Sequence, residues 1–372
     1  MALTDFASLS ALQKKVWSAK VLQAGRHTSF FMGTSGFMGS GTDDATKPIH
    51  LVTDLTATEG GDRVVMPLVQ DLQGDGVVGD NELEGNEESL VTDSQEIKID
   101  QFRHAVKSKG KMSEQKTVLR FRAQAKDKLG FWLGNKVDEL AFLTIAGIAY
   151  TSKLDGSLRP SSSQLSTLAF AADVTATSTN RKAFAGTATS TATLTTSDKM
   201  NWDLLVRAKA TAVRKVLKPI RINGGSHYVV VMSPEQARDL KTDTTYRTVV
   251  QNAGIRGSGN ELFTGSFAQV DGLILYEHQK VPTTLVASSG SKYGASGTVD
   301  GAQAVFLGAQ SLGMARIGDA EWHESDMQDY GNREGIAYGR MLGFKKPVFT
   351  SNLDGGTSED FASMSIYTAA AA

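Results

Sequence analysis

The spacing of hydrophobic residues changes along the first 150 residues from a sparse start, through short alternating runs, to a long helical stripe. A repeat of three to four residues predicts a short amphipathic helix over 9–24, built on Leu9, Leu12, Val16 and Ala19 and ended by Gly25. Glycines and Pro48 interrupt residues 32–61, which have too few apolar positions for a core of their own. We therefore predict that residues 1–61 form an N-terminal arm.

Short alternating runs predict a long two-stranded excursion over residues 62–112. Residues 63–69 read as the outgoing strand, where Pro67 favours an edge position. Residues 97–100 and 105–107 read as the returning strand, and the acidic stretch between them forms the tip. Because an isolated two-stranded ribbon is marginal in water, we expect it to extend from its own subunit and to contact a neighbour.

A long helix is predicted over residues 113–150, with Ser113 at its start and Gly147 at its end. Gly130 and Gly134 are expected to weaken its middle and to bend it. Its apolar stripe consists of Val118, Phe121, Ala125, Leu129, Trp132, Leu133, Leu140 and Leu143. The residues expected to face the core are Phe121, Leu129, Trp132 and Leu140.

The rest of the chain predicts a mixture of helices and strands. Residues 151–198 are rich in Ser, Thr and Ala and are expected to be an insertion or loop, flexible or weakly β-structured, on the surface. Helices are predicted at 202–217 and after Pro234. The predicted strands are 228–232, 272–276, 304–307 and 361–367. The fold class is therefore α+β.

Composition excludes several classes of protein. The 372 residues carry a formal net charge of −1, whereas a protein that grips nucleic acid usually has a basic excess. With no cysteine in the chain, thiolate catalysis, zinc–thiolate sites and disulfides are excluded. Neither a signal peptide nor a membrane-spanning stretch is recognisable, so we expect a soluble protein made in the cytoplasm.

Candidate chemical motifs are weak. Residues 74–79 spell G-x-G-x-x-G, but the acidic residues that follow would repel a phosphate and lack helical periodicity. Asp71, Gln73, Asp75 and Glu82 approach the spacing of a calcium loop, although the preceding segment reads as a strand instead of a helix. The six histidines show no metal-ligand spacing. We therefore assign no catalytic residue, cofactor or metal, while incidental cation binding at 71–82 stays open.

Opposite charges are segregated along the chain. Residues 71–100 contain ten Asp and Glu against Lys98 alone, and residues 101–128 contain nine Lys and Arg against two acids. These stretches are either two solvated faces or complementary surfaces on neighbouring copies. The candidate acidic contacts are Glu82, Glu84, Glu87 and Glu88. The candidate basic contacts are Arg103, Lys107, Lys109, Lys111, Arg120 and Arg122.

Five blocks in order along the chain resemble the N4-type family of tailed-bacteriophage major capsid proteins. The blocks are Gln13–Ser18, Gly61–Leu68, Leu83–Glu88, Gln101–Lys107 and Tyr330–Gly335. The resemblance implies the Hong Kong 97 capsid fold, with an N-terminal arm, an extended E-loop, a peripheral domain with a long spine helix, and an axial domain. The Ser/Thr-rich segment 151–198 lies outside the matching blocks.

The resemblance also implies an organisation and a set of partners. The implied parts are the arm (1–61), the E-loop (62–112), the spine helix (113–150), the insertion (151–198), a mainly axial part (199–320) and a return to the peripheral domain (321–372). The subunit would assemble with itself into hexamers and pentamers around double-stranded DNA. A portal protein, a separate scaffolding protein and a decoration protein are expected partners. Another self-assembling shell or surface-layer protein, or a metal-dependent enzyme, remain the alternatives.

Overall fold

The computed structural model describes residues 20–21, 23–25, 28–33, 37–40, 46–52, 61–69, 74–88, 92–116, 121–222, 224–253, 268–328, 332–351 and 357–371. Most of the helix predicted over 9–24 lies outside these residues, and Gly25 is still helical. The helices are α1 (Phe30–Gly33), α2 (Lys111–Gln115), α3 (Phe121–Ala146), α4 (Trp202–Arg214), α5 (Pro234–Thr242) and α6 (Thr244–Ala253).

The described strands form two larger sheets and two hairpins. The strands are β1 (Met38–Ser40), β2 (Ile49–Val52), β3 (Arg63–Val69), β4 (Thr92–Lys98), β5 (Asp100–Lys107), β6 (Lys182–Phe184), β7 (Ile220–Ile222), β8 (Gly225–Met232), β9 (Ala268–Val270), β10 (Leu273–Glu277), β11 (Gly301–Leu307), β12 (Leu312–Gln328), β13 (Arg333–Lys345), β14 (Val348–Ser351), β15 (Thr357–Asp360) and β16 (Ser363–Ala369). One sheet has the order β1-β2-β12-β13-β5, and the other has the order β6-β16-β11-β8-β10-β9 with β7 beside β8.

The sheet built around β8 is covered on both faces. Val229 and Val231 belong to a core that includes α3, while Tyr228, Val230 and Met232 belong to a second core that includes α4 and α5. This alternation follows from the two-residue period of a strand. Both faces being apolar explains why β8 reads as a continuous hydrophobic run in the sequence.

The long helix α3 packs against both sheets. Its first half is amphipathic, whereas the residues from Leu140 to Ala146 are all buried. The helix ends where Gly147 adopts a left-handed conformation with a φ of 69°, and the amide of Ile148 donates to the carbonyl of Leu143 at 2.9 Å. The predicted start is wrong, since Ser113 lies in the separate short helix α2.

The ribbon predicted over 62–112 comprises the hairpin β3–β4 and the separate strand β5. Seven residue pairs, from Arg63–Lys98 to Val69–Thr92, join the hairpin. β5 instead pairs with β13 at the edge of the five-stranded sheet. The returning strand is thus divided between two sheets, because Ile99 turns inward with Val64 and Ile97 against Ala315 of β12.

Residues 151–198 are mostly exposed or half-buried turns and loops that are anchored at a few buried positions. Four short 3₁₀ helices and the strand β6 run through them, and the side chains of Phe170, Arg181 and Leu194 are buried. Arg181 donates to the carbonyls of Asp360 and Lys215, both at 3.0 Å. A few large residues therefore fix a segment whose composition suggested a loose loop.

The boundary expected at residues 320–321, between the mainly axial part and the return to the peripheral domain, does not coincide with the division between the two sheets. Strands β12 and β13 put residues 312–345 in the five-stranded sheet, so the chain leaves the other sheet at Leu307. Strand β16 then returns to that other sheet and pairs with β11 along seven residues. The C-terminal strand thus lies inside the sheet formed mainly by the 199–307 region.

Candidate assembly surfaces

The tip of the β3–β4 hairpin is exposed and held in shape by its own hydrogen bonds. All described residues from Gly74 to Glu88 are exposed except Val77, which is half-buried. The amide of Gly74 donates to Glu88 Oε2 at 2.6 Å, and the amide of Gly85 donates to Glu87 Oε2 at 2.8 Å. Two of the four candidate acids thus bind their own loop.

The other two tip acids face solvent. Within the described part of the chain, the carboxylates of Glu82 and Glu84 have no ion-pair partner. The side-chain amide of Asn86 donates to the carbonyl of Glu82 at 3.0 Å, which fixes the backbone and leaves that carboxylate available. Two of the four candidate acids are therefore available on a pre-shaped loop, which also carries the exposed Asp75 and Asp80.

Four candidate basic residues lie together in sequence on an exposed surface. Arg103 and Lys107 are exposed on β5, the edge strand of the five-stranded sheet, and Lys109 and Lys111 are exposed just after it. The amides of Ser108 and Lys111 donate to the carbonyls of Glu334 and Asn332 at 2.8 and 3.2 Å, so this stretch is tied to β13. We call Arg103, Lys107, Lys109 and Lys111 the basic edge.

The remaining two basic candidates, Arg120 and Arg122, are not part of the basic edge. Arg122 pairs with Glu324 of β12 at 3.2 Å, and the Glu324 side chain is almost fully buried. Arg122 therefore serves its own subunit. Arg120 lies outside the described residues.

The base of the hairpin is fixed to its own subunit. Lys98 pairs with Asp173 at 3.0 Å, and Asp100 accepts a hydrogen bond from the amide of Ala169 at 2.8 Å. Strand β4 also crosses β13 so closely that a Cβ on Gly343 would lie 2.1 Å from the carbonyl oxygen of Lys98. These contacts fix the base of the hairpin against the five-stranded sheet and residues 169–173.

The four residues predicted on the spine-helix core divide into two pairs. Leu129 and Leu140 are buried in the core around α3, while Phe121 and Trp132 are half-buried at its margin. The Trp132 ring stacks on Phe102 and His104 of β5, with centroid distances of 4.6 and 4.7 Å. Trp132 thus joins α3 to the strand that carries the basic edge.

A junction between the N-terminal arm and α3 was not predicted from the sequence. Asp138, fully buried on α3, accepts hydrogen bonds from Ser29 Oγ at 2.5 Å and from the amides of Phe30 and Phe31 at 2.8 and 3.3 Å. Lys280 pairs with the same carboxylate at 3.1 Å. The carboxylate therefore caps α1 and anchors the arm.

Two glycines make room for this arm. A Cβ on Gly130 would lie 2.8 Å from the Ala24 Cβ, and one on Gly134 would lie 2.5 Å from the carbonyl oxygen of Gly25. Gly130, Gly134 and Asp138 recur every four residues, which places them on one helix face. These glycines form the surface on which the arm packs, in addition to any weakening of the helix. Their spacing of four residues is the sequence feature that could have predicted this close contact.

An aromatic cluster completes the junction. The His278 ring stacks on Phe142 and packs at a tilt against Phe30, with centroid distances of 5.4 and 4.5 Å. Burial lowers the pKa of His278 to about 4, and the nearby charge of Lys280 adds to this effect while Asp138 opposes it. The histidine is therefore neutral at physiological pH and acts as an aromatic packing residue.

The weak chemical motifs gain no support from the geometry. The described residues after Gly79 contain no helix before α2, so the G-x-G-x-x-G sequence lacks the helix N-terminus that would bind a pyrophosphate. Asp71 and Gln73 of the calcium-like spacing lie outside the described residues. Across the described ranges, no three acidic or histidine side chains are grouped as metal ligands. Nor does any described helix combine the length and apolarity needed to span a membrane.

Comparisons with known proteins agree with this architecture. A model of the phage capsid protein family matches residues 5–372. The major capsid protein of Pseudomonas phage KPP25 is 40% identical over 375 residues, which cover 99% of this chain and 98% of the relative. The chain belongs to the phage capsid protein family. It is a structural protein of the virion shell and not an enzyme.

Solved structures show the same fold. The capsid of Ralstonia phage GP4 matches with a TM-score of 0.75 and 27% identity, covering 100% of this chain and 96% of that one. The cyanophage Pam1 capsid matches with a TM-score of 0.69 and 20% identity, over 99% of this chain and 100% of that one. The expected Hong Kong 97 fold is confirmed. The family match also includes residues 151–198, which the sequence blocks had left outside.

Proposed function

We propose that this capsid subunit forms the hexamers and pentamers of an icosahedral shell around double-stranded DNA, and that it belongs to the N4-type branch of its family. The branch is supported by the five sequence blocks between Gln13 and Gly335. The observation that carries the assembly proposal is the shaped, exposed hairpin tip, which contributes nothing to the core of its own subunit.

The tip docks on the basic edge of a neighbouring copy in this proposal. Glu82 and Glu84 supply the negative charge, while Glu87 and Glu88 keep the loop in its docking shape. Opposite patches steer association and set its register. Because the hairpin base is fixed by Lys98, Asp100 and Gly343, docking requires little reorganisation of the subunit.

The other partners follow from the shell. A portal protein would occupy one vertex, a separate scaffolding protein would guide assembly, and a decoration protein could bind the outer surface. A formal net charge of −1 suits an inner wall that lies near packaged DNA without gripping it.

Electron microscopy of the purified full-length chain, with and without the other head proteins of its phage, tests the proposal. Closed shells with hexameric and pentameric units are expected. Planar lattices would contradict the shell geometry, and discrete small particles under every condition would contradict self-assembly.

A further inference from the structure

The acidic tip also carries two large apolar side chains that its own subunit does not bury. Val78 is 77% exposed and Leu83 is 61% exposed, although both lie in a loop otherwise rich in Asp, Glu, Asn and Gly. Solvated acidic loops need no such residues. Because the two lie five residues apart on one exposed loop, we take them as the candidate apolar contacts of the tip.

Local hydrogen bonds hold the backbone around both side chains. The side-chain amide of Asn81 donates to the carbonyl of Val78 at 2.7 Å, and the amide of Asn86 donates to the carbonyl of Leu83 at 3.0 Å. A residue fixed in this way loses little additional backbone entropy on binding. The tip thus presents a pre-formed apolar projection flanked by Glu82 and Glu84.

Two exposed apolar side chains lie on elements linked to the basic edge: Met112 follows it in the chain, and Phe131 precedes Trp132, which stacks on β5. Met112 follows Lys111 directly and is 69% exposed, and Phe131 on α3 is 46% exposed with Lys128 Nζ 5.9 Å from its ring centroid. A flexible methionine adapts its shape to an incoming aliphatic side chain. Lysines around these two residues complement the acids that flank Leu83.

We infer that Leu83 and Val78 are the main affinity contacts of the tip, and that they pack on Met112 and Phe131 of a second copy of this chain. The inference rests on the proposed docking of the tip on the basic edge. Charge then sets which surfaces meet, and burial of the two apolar residues keeps them together. Exposed ion pairs contribute little individually, whereas burying one leucine contributes considerably more.

The first experiment compares serine variants of exposed apolar residues on the same hairpin. Leu83→Ser and Val78→Ser are expected to raise the concentration needed for assembly on the order of tenfold at both low and high salt. Val65→Ser is the matched control, since Val65 is 51% exposed but lies on β3 away from the tip. Circular dichroism and melting temperature establish that each variant is folded.

The outcomes separate this inference from the docking proposal. If the Leu83 and Val78 variants assemble like the unmodified chain while charge reversal at Glu82 and Glu84 blocks assembly, the apolar contact is overturned and docking of the tip stands. If neither kind of change affects assembly, both are overturned. An equal defect in the Val65 control would also overturn the assignment to the tip.

The second experiment uses the absence of cysteine from the chain. A Leu83→Cys protein is mixed with a Met112→Cys or a Phe131→Cys protein, assembled and mildly oxidised. A disulfide between the two differently tagged chains is intermolecular by construction and is expected in at least one mixture. Val65→Cys in place of Leu83→Cys should give none, and the absence of a disulfide from both Leu83 mixtures would overturn the receiving surface.

Discussion

The buried carboxylate of Asp138 is a feature of the arm junction that the sequence alone does not reveal. Asp138 is the one acid between Asp127 and Glu139 on α3, and the sequence gives no reason to place it in a core. Burial of a carboxylate is costly unless hydrogen bonds and a counter-charge compensate it. Here Ser29, two backbone amides and Lys280 do so, which makes the arm part of the folded subunit.

We predict that Asp138→Ala releases the N-terminal arm. The change leaves the Ser29 hydroxyl and two amides without their acceptor, and the free energy of unfolding should fall by about 2–4 kcal/mol. Urea denaturation measures this loss, and limited proteolysis should cut the chain near residue 30. Asp127→Ala on the same helix removes only a half-exposed pair with Lys126 and should change stability by less than about 0.5 kcal/mol. Similar losses in both variants would contradict the anchoring role.

A second prediction concerns the neutral state of His278. Burial lowers its pKa to about 4, from 6.5. The unfolded chain therefore binds more protons than the folded chain between these values, so stability should fall as pH drops from 6.5 towards 4. The contribution is at most about 3 kcal/mol and is reduced by partial solvent access. The melting temperature of the unmodified chain should fall relative to that of His278→Gln between pH 6.5 and pH 4, whereas the difference between the two chains should stay constant above pH 6.5. If the melting temperatures of the two chains changed in parallel from pH 6.5 to pH 4, the proposed role of His278 in the pH dependence would be contradicted.

At the scale of elements, hydrophobic periodicity and capping residues predicted the helices α3 and α5. The stripe from Phe121 to Leu143 predicted α3, and Ser233 with Pro234 predicted α5, where Ser233 and Gln236 form a capping box. The two longest strands, β12 and β13, were missed because charged residues and glycines interrupt their apolar positions, as in residues 316–321 and 338–343. The buried anchors of residues 151–198 were not predicted, because burial of Phe170 and Leu194 depends on partners distant in sequence.

Tight contact between the hairpin and β13 gives a prediction at this scale. In Gly343→Ala the new methyl group would collide with the Lys98 carbonyl, so the hairpin base should shift and stability should fall by about 1–3 kcal/mol. Assembly should be impaired more than folding, because the tip is displaced by the same shift. Thermal melting and sedimentation of particles measure the two effects. Gly339→Ala on the same strand meets the Arg103 Cβ at 3.2 Å and should be milder. If both variants lowered the melting temperature equally and left assembly unchanged, Gly343 would have no role in positioning the tip.

The whole molecule combines a fixed base, a shaped tip and a charged edge. Family membership followed from blocks spread over the chain, and the segregation of acids and bases was visible in the sequence. The sequence did not show which acids are free to contact a neighbour, because the hydrogen bonds of Glu87 and Glu88 to their own loop depend on its backbone geometry. The candidate acidic contact therefore narrows from four residues to Glu82 and Glu84, and Arg122 leaves the basic set because it pairs with Glu324 of its own subunit.

This narrowing leads to a prediction about assembly. Glu82→Lys combined with Glu84→Lys should block or slow assembly and leave the isolated subunit folded, because the tip is absent from the core. Each exposed pair contributes only about 0.2–1 kcal/mol, but a shell repeats the contact in every subunit. Adding Lys109→Glu and Lys111→Glu to the same chain should restore assembly, since both surfaces are then reversed. Salt should weaken assembly of the unmodified chain, because the Debye length falls to roughly 3 Å at 1 M. Light scattering and electron microscopy follow particle formation. A double reversal that stays defective, with assembly strengthened by salt, would show that charge does not register the tip and that apolar burial alone governs the contact.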